Sequence, residues 1–188
     1  ELSSLKEELL LEGPLDVKLK QITDATLHIL DADFARIWMI KEGDKCDGEC
    51  PHTIRKEKDH VCNYKDMCLH LVASSGRYTH LDGEMHSRIP FGCYRVGRIA
   101  SGEEPNFFSN DVAGDEKIHN RKWARELGLV SSAHVRVASP EGSPVGAIAL
   151  FSKNELTIND IQIIHNIAAT TSQIIVTSNS QKAQIESE

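Results

Sequence analysis

The sequence has 188 residues, of which 40% are hydrophobic and 26% charged, and its formal net charge is −7. This length suits one well-packed domain, and the acidic balance argues against a nucleic-acid surface, which needs clustered positive charge. The apolar runs are strand-sized and shorter than the roughly 20 residues of a membrane span, so we expect no membrane contact. The chain opens on charged, helix-forming residues without a signal peptide, which predicts a cytoplasmic piece of a larger protein.

The first third of the chain alternates between helical and extended patterns. Leucines at helical spacing up to Gly13-Pro14 predict a signalling or linker helix over residues 1–13. A second helix is predicted from Leu15 to about residue 30. The apolar run 34–40 predicts a central strand, and residues 68–76 predict its hairpin partner.

The remaining elements alternate in type along the second half of the chain. Glycines and a Ser-Pro-rich turn separate them, and Thr157 with Asp160 is a plausible helix start. The predicted elements are a helix at 97–102, strands at 107–109, 130–137 and 145–151, a helix at 121–127 and a C-terminal helix to about 178. This order predicts an α+β fold with an antiparallel sheet and helices on one face.

A cysteine-rich segment between the first two predicted strands carries the clearest chemical signal. Cys46, Cys50, Cys62 and Cys68 follow the pattern C-x3-C-x11-C-x5-C, which is typical of a chain wrapping a tetrahedral soft metal. The segment has almost no apolar residues, so a bound metal is expected to order it.

We therefore predict a metal site on these four cysteines, with His52 and His70 as alternate ligands. Zinc is the expected metal, because closed sites of thiolates, or of thiolates and imidazole, are typically structural zinc sites. An iron–sulfur cluster also uses four thiolates, and free or disulfide-paired cysteines on a loop are the remaining alternative.

A family resemblance appears in the middle of the chain, at residues 88–115. The segment resembles the GAF domain, a sensory relative of PAS domains, as do the later stretches G-L-V-S and P-V-G-A-I-A-L-F. The residues that carry it are Pro90, Gly92, Gly97, Ala100, Ser101, Gly102, Asp111, Val112 and Asp115. We assign residues 14–180 to a GAF-like sensor domain, with the cysteine-rich insert at 42–70 outside the general pattern and a C-terminal linker at 181–188.

The resemblance implies both an architecture and a role. It implies a sheet of about six antiparallel strands, with the N- and C-terminal helices on one face and a ligand pocket on the other. It also implies a homodimer through the terminal helices, which would pass a small-molecule or redox signal to an output domain in the same chain, such as a histidine kinase. The domain itself is then expected not to be an enzyme. The predicted pocket residues are His86, Phe91, Cys93, Tyr94 and Asp111.

Two other functions remain open at this point. One is a haem-based redox or gas sensor that uses Cys93 or a histidine such as His80 or His86 as iron ligand. The other is a thiol-dependent enzyme resembling the methionine sulfoxide reductases, which form one branch of the GAF family.

Overall fold

The computed structural model describes residues 1–50, 52, 62–82 and 85–188. Its helices are α1 (Leu2–Leu9), α2 (Leu15–Leu30), α3 (Tyr94–Ser101), α4 (Arg121–Glu126) and α5 (Ile158–Ser187). Its strands are β1 (Phe34–Lys41), β2 (Cys68–Gly76), β3 (Arg88–Pro90), β4 (Phe107–Ser109), β5 (Ser131–Ala138) and β6 (Pro144–Ser152).

The strands form a six-stranded antiparallel sheet in the order β3-β2-β1-β6-β5-β4. The predicted α+β class and the antiparallel sheet are confirmed. Strand β3 was missed as an element of the sequence pattern, because it has three residues and ends in proline, which rarely signals a strand. It is nevertheless held in the sheet by pairing with the first three residues of β2, Cys68 to His70.

One face of the sheet is covered by the helices from the two ends of the chain. Alternate strand residues point to this face, as the two-residue period of a strand requires. Together with α1, α2 and α5 they form the largest apolar cluster. The strand residues in it are Ala35, Ile37, Met39, Ala73, Ala133, Val135, Val137, Ile148 and Leu150.

Polar groups on this helix-covered face have partners within the chain. The Ser75 hydroxyl lies 2.6 Å from the Thr23 hydroxyl, donates to Asp24 Oδ1 at 2.6 Å and accepts from Lys20 Nζ at 2.7 Å. These bonds attach α2 to the end of β2, so the buried serine carries no desolvation penalty.

The C-terminal helix begins as the sequence predicts. Thr157 Oγ1 accepts from the Asp160 backbone N–H at 3.1 Å, and Asp160 Oδ2 accepts from the Thr157 N–H at 2.8 Å, a reciprocal capping box. The helix continues to Ser187, and residues 181–187 are exposed. Among the described residues, no helix combines the length and apolarity that crossing a membrane requires.

The other face of the sheet is covered by short elements from the middle of the chain. Helix α3 packs over the strands with Trp38, Leu71 and Ala147, and α4 contributes to a second cluster around Phe34 and Val112. Helix α3 starts three residues before the predicted helix at 97–102, and Gly102, with φ of 85°, ends it where predicted.

Candidate functional site

The four predicted metal ligands line one cavity at the edge of the sheet. Its volume is about 20 Å³, room for one small atom or ion. The lining residues are Gly43, Asp44, Lys45, Cys46, Cys50, His52, Cys62, Cys68, Arg88 and Pro90. The cysteines come from both ends of the insert, so folding brings together thiols up to 22 positions apart in the sequence.

Short backbone contacts set the shape of this cysteine cavity. The Gly43 N–H donates to the Lys65 carbonyl at 2.7 Å and joins the two ends of the insert. The Cys50 N–H donates to the Lys45 carbonyl at 2.8 Å and folds the first cysteine pair into a tight loop. A β-carbon at position 43 would collide with Cys46 Sγ and lie 3.0 Å from the Lys65 carbonyl oxygen, so a larger residue there would force the Cys46 side chain to move.

An ion pair fastens the insert to the sheet beside the cavity. Arg88 Nε and Nη2 each donate to one Asp44 oxygen at 2.7 Å, a two-point contact between β3 and the start of the insert. The Arg88 guanidinium holds the pKa of the Asp44 carboxyl well below its usual range. Sequence reasoning missed this pair, because neither residue belongs to a recognisable motif.

The thiols of the cavity are close enough to raise one another's pKa values. Burial raises the pKa of Cys68 to about 12, and the neighbouring Cys62, Cys50 and Cys46 contribute to this rise. Burial also raises the pKa of Cys62, which donates to the Tyr64 carbonyl at 3.2 Å. No disulfide joins Cys46, Cys50, Cys62 and Cys68. Within the part of the chain that the structure describes, no group of three or more His, Cys, Asp or Glu side chains has the arrangement of a metal site.

The two alternate ligands differ in their relation to the cavity. His52 lines it, with Nε2 2.7 Å from the Arg88 carbonyl and Nδ1 3.4 Å from the Tyr94 hydroxyl. His70 is turned towards the start of the insert, where Nε2 lies 2.8 Å from the Glu42 carbonyl. Of the two, His52 is therefore the one placed to replace a cysteine.

Three of the predicted pocket residues lie together at the start of α3. Phe91 is half-buried and packs edge-on against Tyr64, with ring centroids 5.7 Å apart. Cys93 is buried, and this burial raises the pKa of its thiol. Tyr94 opens α3 and meets the His52 ring at 5.4 Å, so the helix and the cysteine cavity share a contact.

The other two predicted pocket residues have mainly local roles in the described structure. The His86 side chain is exposed, and its carbonyl accepts from Trp38 Nε1 at 2.8 Å. The Asp111 side chain is also exposed and accepts from the Gly114 N–H at 3.1 Å, which closes a turn after β4.

Strand β5 carries polar residues that sequence reasoning missed. Ser132, His134 and Arg136 alternate with the apolar residues of the helix-covered face, so they point to the opposite face, under α3 and α4. Within the described residues, the buried side-chain polar atoms that lack a hydrogen-bond partner are Ser132 Oγ, His134 Nδ1 and Arg136 Nε. The available signal was the alternation in Ser131–Ala138, which is polar at every second position.

His134 is the most deeply placed of these groups. It is paired across the sheet with Ala149 and Phe107, and its ring lies 5.5 Å from that of Phe151. Burial lowers the pKa of His134 to about 3, and the nearby Arg95 contributes to this fall. The imidazole is therefore neutral at physiological pH and presents an unpartnered Nδ1 to this face.

The sheet, the terminal helices on one face and the short helices on the other define an α+β domain of the kind the sequence predicted. The family model described as the GAF domain matches residues 14–176, most of the chain. The chain therefore belongs to the GAF domain family. No curated protein sequence matches it.

Solved structures share the fold of this chain. The GAF domain of a phosphoenolpyruvate-protein phosphotransferase from Coxiella burnetii is 15% identical, with a TM-score of 0.69 over 97% of this chain and 94% of that one. The nlh2 GAF domain of A. aeolicus is 14% identical, with a TM-score of 0.65 over 94% of both chains. Free methionine-R-sulfoxide reductase from Neisseria meningitidis is 14% identical, with a TM-score of 0.63 over 96% and 89%. At such identities, the likeness shows the fold alone.

Proposed function

We propose that this chain is the sensory module of a larger signal-transduction protein, such as a histidine kinase, and binds a small polar molecule between the sheet and α3. The observation that carries the proposal is the set of unpartnered atoms on β5, Ser132 Oγ, His134 Nδ1 and Arg136 Nε. Buried polar atoms in folded proteins nearly always have a partner, and leaving one unsatisfied costs about 1–3 kcal/mol. A polar ligand would supply the missing partners.

A ligand on this face would be well placed to influence the terminal helices. Strand β5 presents His134 to the face under α3 and α4, here called the pocket face. The next residue, Val135, points to the core beneath the terminal helices. Ser172 of α5 donates to the Ala138 carbonyl, at the end of that strand. A shift of β5 on ligand binding would therefore move α5, which leads towards an output domain.

The sensor proposal is tested by a thermal-shift screen of polar metabolites on the 188-residue chain. We expect at least one compound to raise the Tm by several degrees, because a ligand that binds only the folded state stabilises it. The matched variant is His134→Leu, which fills the site without a polar atom and should lose the response. If no compound shifts the Tm and mass spectrometry of the native protein finds no co-purified molecule, the proposal is wrong.

The proposed homodimer through the terminal helices has support of its own. Leu10, Leu11 and Ile185 are large apolar side chains that stay exposed on these segments. Burying them against a second copy would remove this apolar surface from water. Light scattering should give twice the mass of one chain, and Ile185→Lys should shift the population towards the monomer. A monomeric wild-type chain at high concentration would contradict this assembly.

The insert is proposed to hold one structural zinc ion through Cys46, Cys50, Cys62 and Cys68. The support is the shared cavity, the electrostatic contact among the thiols and the lack of apolar side chains to order the insert. The ligands would have to close around the metal, since the described side chains are not arranged as a metal site. Zinc would lower the pKa values of the thiols, because it binds the thiolate form.

Metal analysis of protein purified without chelator tests the zinc proposal. We expect about one zinc per chain, a large loss of zinc in Cys50→Ser and full content in Cys93→Ser, whose thiol does not line the cavity. Iron in place of zinc would indicate the cluster alternative, and absence of any metal from the wild type would overturn the site.

A thiol-dependent reductase is the second candidate function. Its specific support is the position of Cys62, a cavity residue, near Cys93. Burial raises the pKa of the Cys93 thiol, and the nearby Cys62 raises it further. A solved neighbour is also named a methionine sulfoxide reductase. The raised pKa argues against a reactive thiolate. Turnover of free methionine sulfoxide with a thiol reductant, lost in Cys93→Ser, would establish this activity, and absence of turnover would remove it.

Haem binding through Cys93 or His86 stays a prediction, as does an iron–sulfur cluster in the insert. Both cofactors are coloured, so absorption spectra before and after reconstitution with haem separate them from zinc.

A further inference from the structure

A buried arginine under α3 and α4 has no carboxylate partner among the described residues. Arg36 lies in the middle of β1 and is 7% exposed. Its Nε donates to Ser74 Oγ at 3.2 Å, and its guanidinium carbon lies 5.1 Å from the Tyr78 ring centroid and 5.8 Å from that of Phe34. Its Nη1 and Nη2 make no hydrogen bond with any described residue, and no described carboxylate forms an ion pair with it.

Three other arginines of the domain have carboxylate partners. Arg77 pairs with Asp33, Arg88 with Asp44 and Arg98 with Glu104, all at 2.5–2.7 Å. Each of these three side chains is more exposed than Arg36, so water can solvate its charge more easily. Of these four guanidinium groups, the least exposed is the one with no counter-charge among the described residues, and burying an unpaired charge costs free energy.

Among the described residues, the titratable groups near Arg36 are one tyrosine and several histidines. Tyr78 faces the guanidinium. Burial lowers the pKa of His86, and the positive charge of Arg36 lowers it further. His52, His80 and His119 lie within electrostatic reach of the same imidazole. Because none of these described groups is a carboxylate, the guanidinium is the charge that a ligand beside them would meet.

We infer that Arg36 recognises an anionic group, a carboxylate or a phosphate, on the small molecule that the domain binds. The two free Nη atoms match two oxygens of such a group in the planar, two-point contact that distinguishes arginine from lysine. The rings of Phe34 and Tyr78 hold the guanidinium in place, and Ser74 fixes its Nε. The inference rests on the proposed sensor function and adds the chemical class of its ligand.

Thermal unfolding of the 188-residue chain with simple anions tests this inference. The probes are inorganic phosphate and succinate, with the neutral succinamide as the matched control and potassium chloride to hold the ionic strength. At about 100 times its Kd, a bound anion should raise the Tm by about 5–10 °C. A shift with succinate alone indicates a carboxylate ligand, and a shift with phosphate alone indicates a phosphate ligand. No shift with either at about 50 mM, enough to fill a site of millimolar Kd, overturns the inference.

Two variants connect the response to Arg36. Arg36→Gln removes the cation and keeps a donor, whereas Arg77→Gln removes a charge that Asp33 already neutralises. We expect the anion shift to disappear in Arg36→Gln and to persist in Arg77→Gln. Without anions, Arg36→Gln should unfold at the wild-type Tm or above it, because an unpaired buried charge is gone. A lower Tm together with an undiminished anion shift would mean that Arg36 is structural, and would overturn the inference.

If Arg36→Gln does not fold, Arg36→Lys keeps the charge and removes the planar two-point contact. It should weaken anion binding at least about tenfold, and unchanged affinity would contradict the assignment. Failure of the inference is distinguishable from failure of the sensor proposal. If a neutral metabolite stabilises wild type and Arg36→Gln equally while anions do not shift the Tm, the anion inference is wrong and the sensor proposal stands.

Discussion

The two faces of the sheet are both buried, but only one of them is completed by the chain itself. Under the terminal helices, the strands present aliphatic side chains, and the buried Ser75 has partners on α2. Under α3 and α4, the same strands present four polar residues. Ser132, His134 and Arg136 each have a buried atom without a partner among the described residues. Arg36 lies on the same face, where its Nε donates to Ser74.

The difference assigns stability to one face and recognition to the other. Aliphatic packing needs nothing from outside the chain, so the helix-covered face holds the domain together. Buried polar atoms without partners lower stability, and folded proteins retain them mainly where another molecule completes the set. The following substitutions test this division, beginning with the largest expected effect.

The first prediction compares two isoleucines of the same strand. Ile37 is 0% exposed under the helices, and Ile40 is half-buried on the opposite face near the end of β1. Ile37→Ala should lower the free energy of unfolding by about 2–5 kcal/mol, because it leaves a cavity in the main core. Ile40→Ala should cost less than half as much. Urea unfolding measures both, and equal losses would contradict the assignment of stability to the helix-covered face.

The second prediction concerns the pH dependence that His134 imposes. Its pKa is about 3 when folded and near 6.5 when unfolded, so below pH 6.5 the unfolded chain binds the extra proton. Stability should therefore fall with decreasing pH, by about 1.4 kcal/mol per pH unit between pH 6 and pH 4 from this residue.

His134→Leu should remove that part of the slope, and His165→Gln, which deletes an exposed imidazole on α5, serves as the control. Denaturant midpoints from pH 4 to pH 8 provide the measurement. The same slope in wild type and His134→Leu would mean that the imidazole is not buried in the neutral form.

The third prediction concerns the hydrogen bond between Trp38 Nε1 and the His86 carbonyl, 2.8 Å long. This bond joins β1 to the segment before β3 on the pocket face. Trp38→Phe keeps an aromatic ring and deletes the donor, so we expect a loss of about 1 kcal/mol. Amide exchange of residues 85–87 should become faster while that of α5 is unchanged. An equal increase in the exchange rates of residues 85–87 and of α5 would indicate that Trp38 supports the whole fold instead.

Much of the fold was predictable because it depends on local patterns. The apolar run of β1, the helical spacing in α2 and α5 and the Thr157 capping box all follow from neighbouring residues. Strand β3 and the first turn of α3 were not predicted. Three residues carry too little pattern, and Tyr94 starts its helix with φ of 54°, which no propensity favours.

The candidate sites divide in the same way. The four cysteines were recognisable because clustered thiols at such spacing are typical of metal sites and disulfides. The polar residues on β5 were not, because serine, histidine and arginine on a strand usually face solvent. Burial became visible only when α3 and α4 were placed over them.

The sequence by itself determined the family, the elements and the set of thiols, since these depend on the identity and spacing of residues along the chain. Only the tertiary structure decided which face of the sheet would have unpaired polar groups, that Asp44 meets Arg88 and that Arg36 is buried with no carboxylate partner among the described residues. The physical reason is that burial and charge pairing depend on elements far apart in the sequence, and no local pattern records which of them will meet.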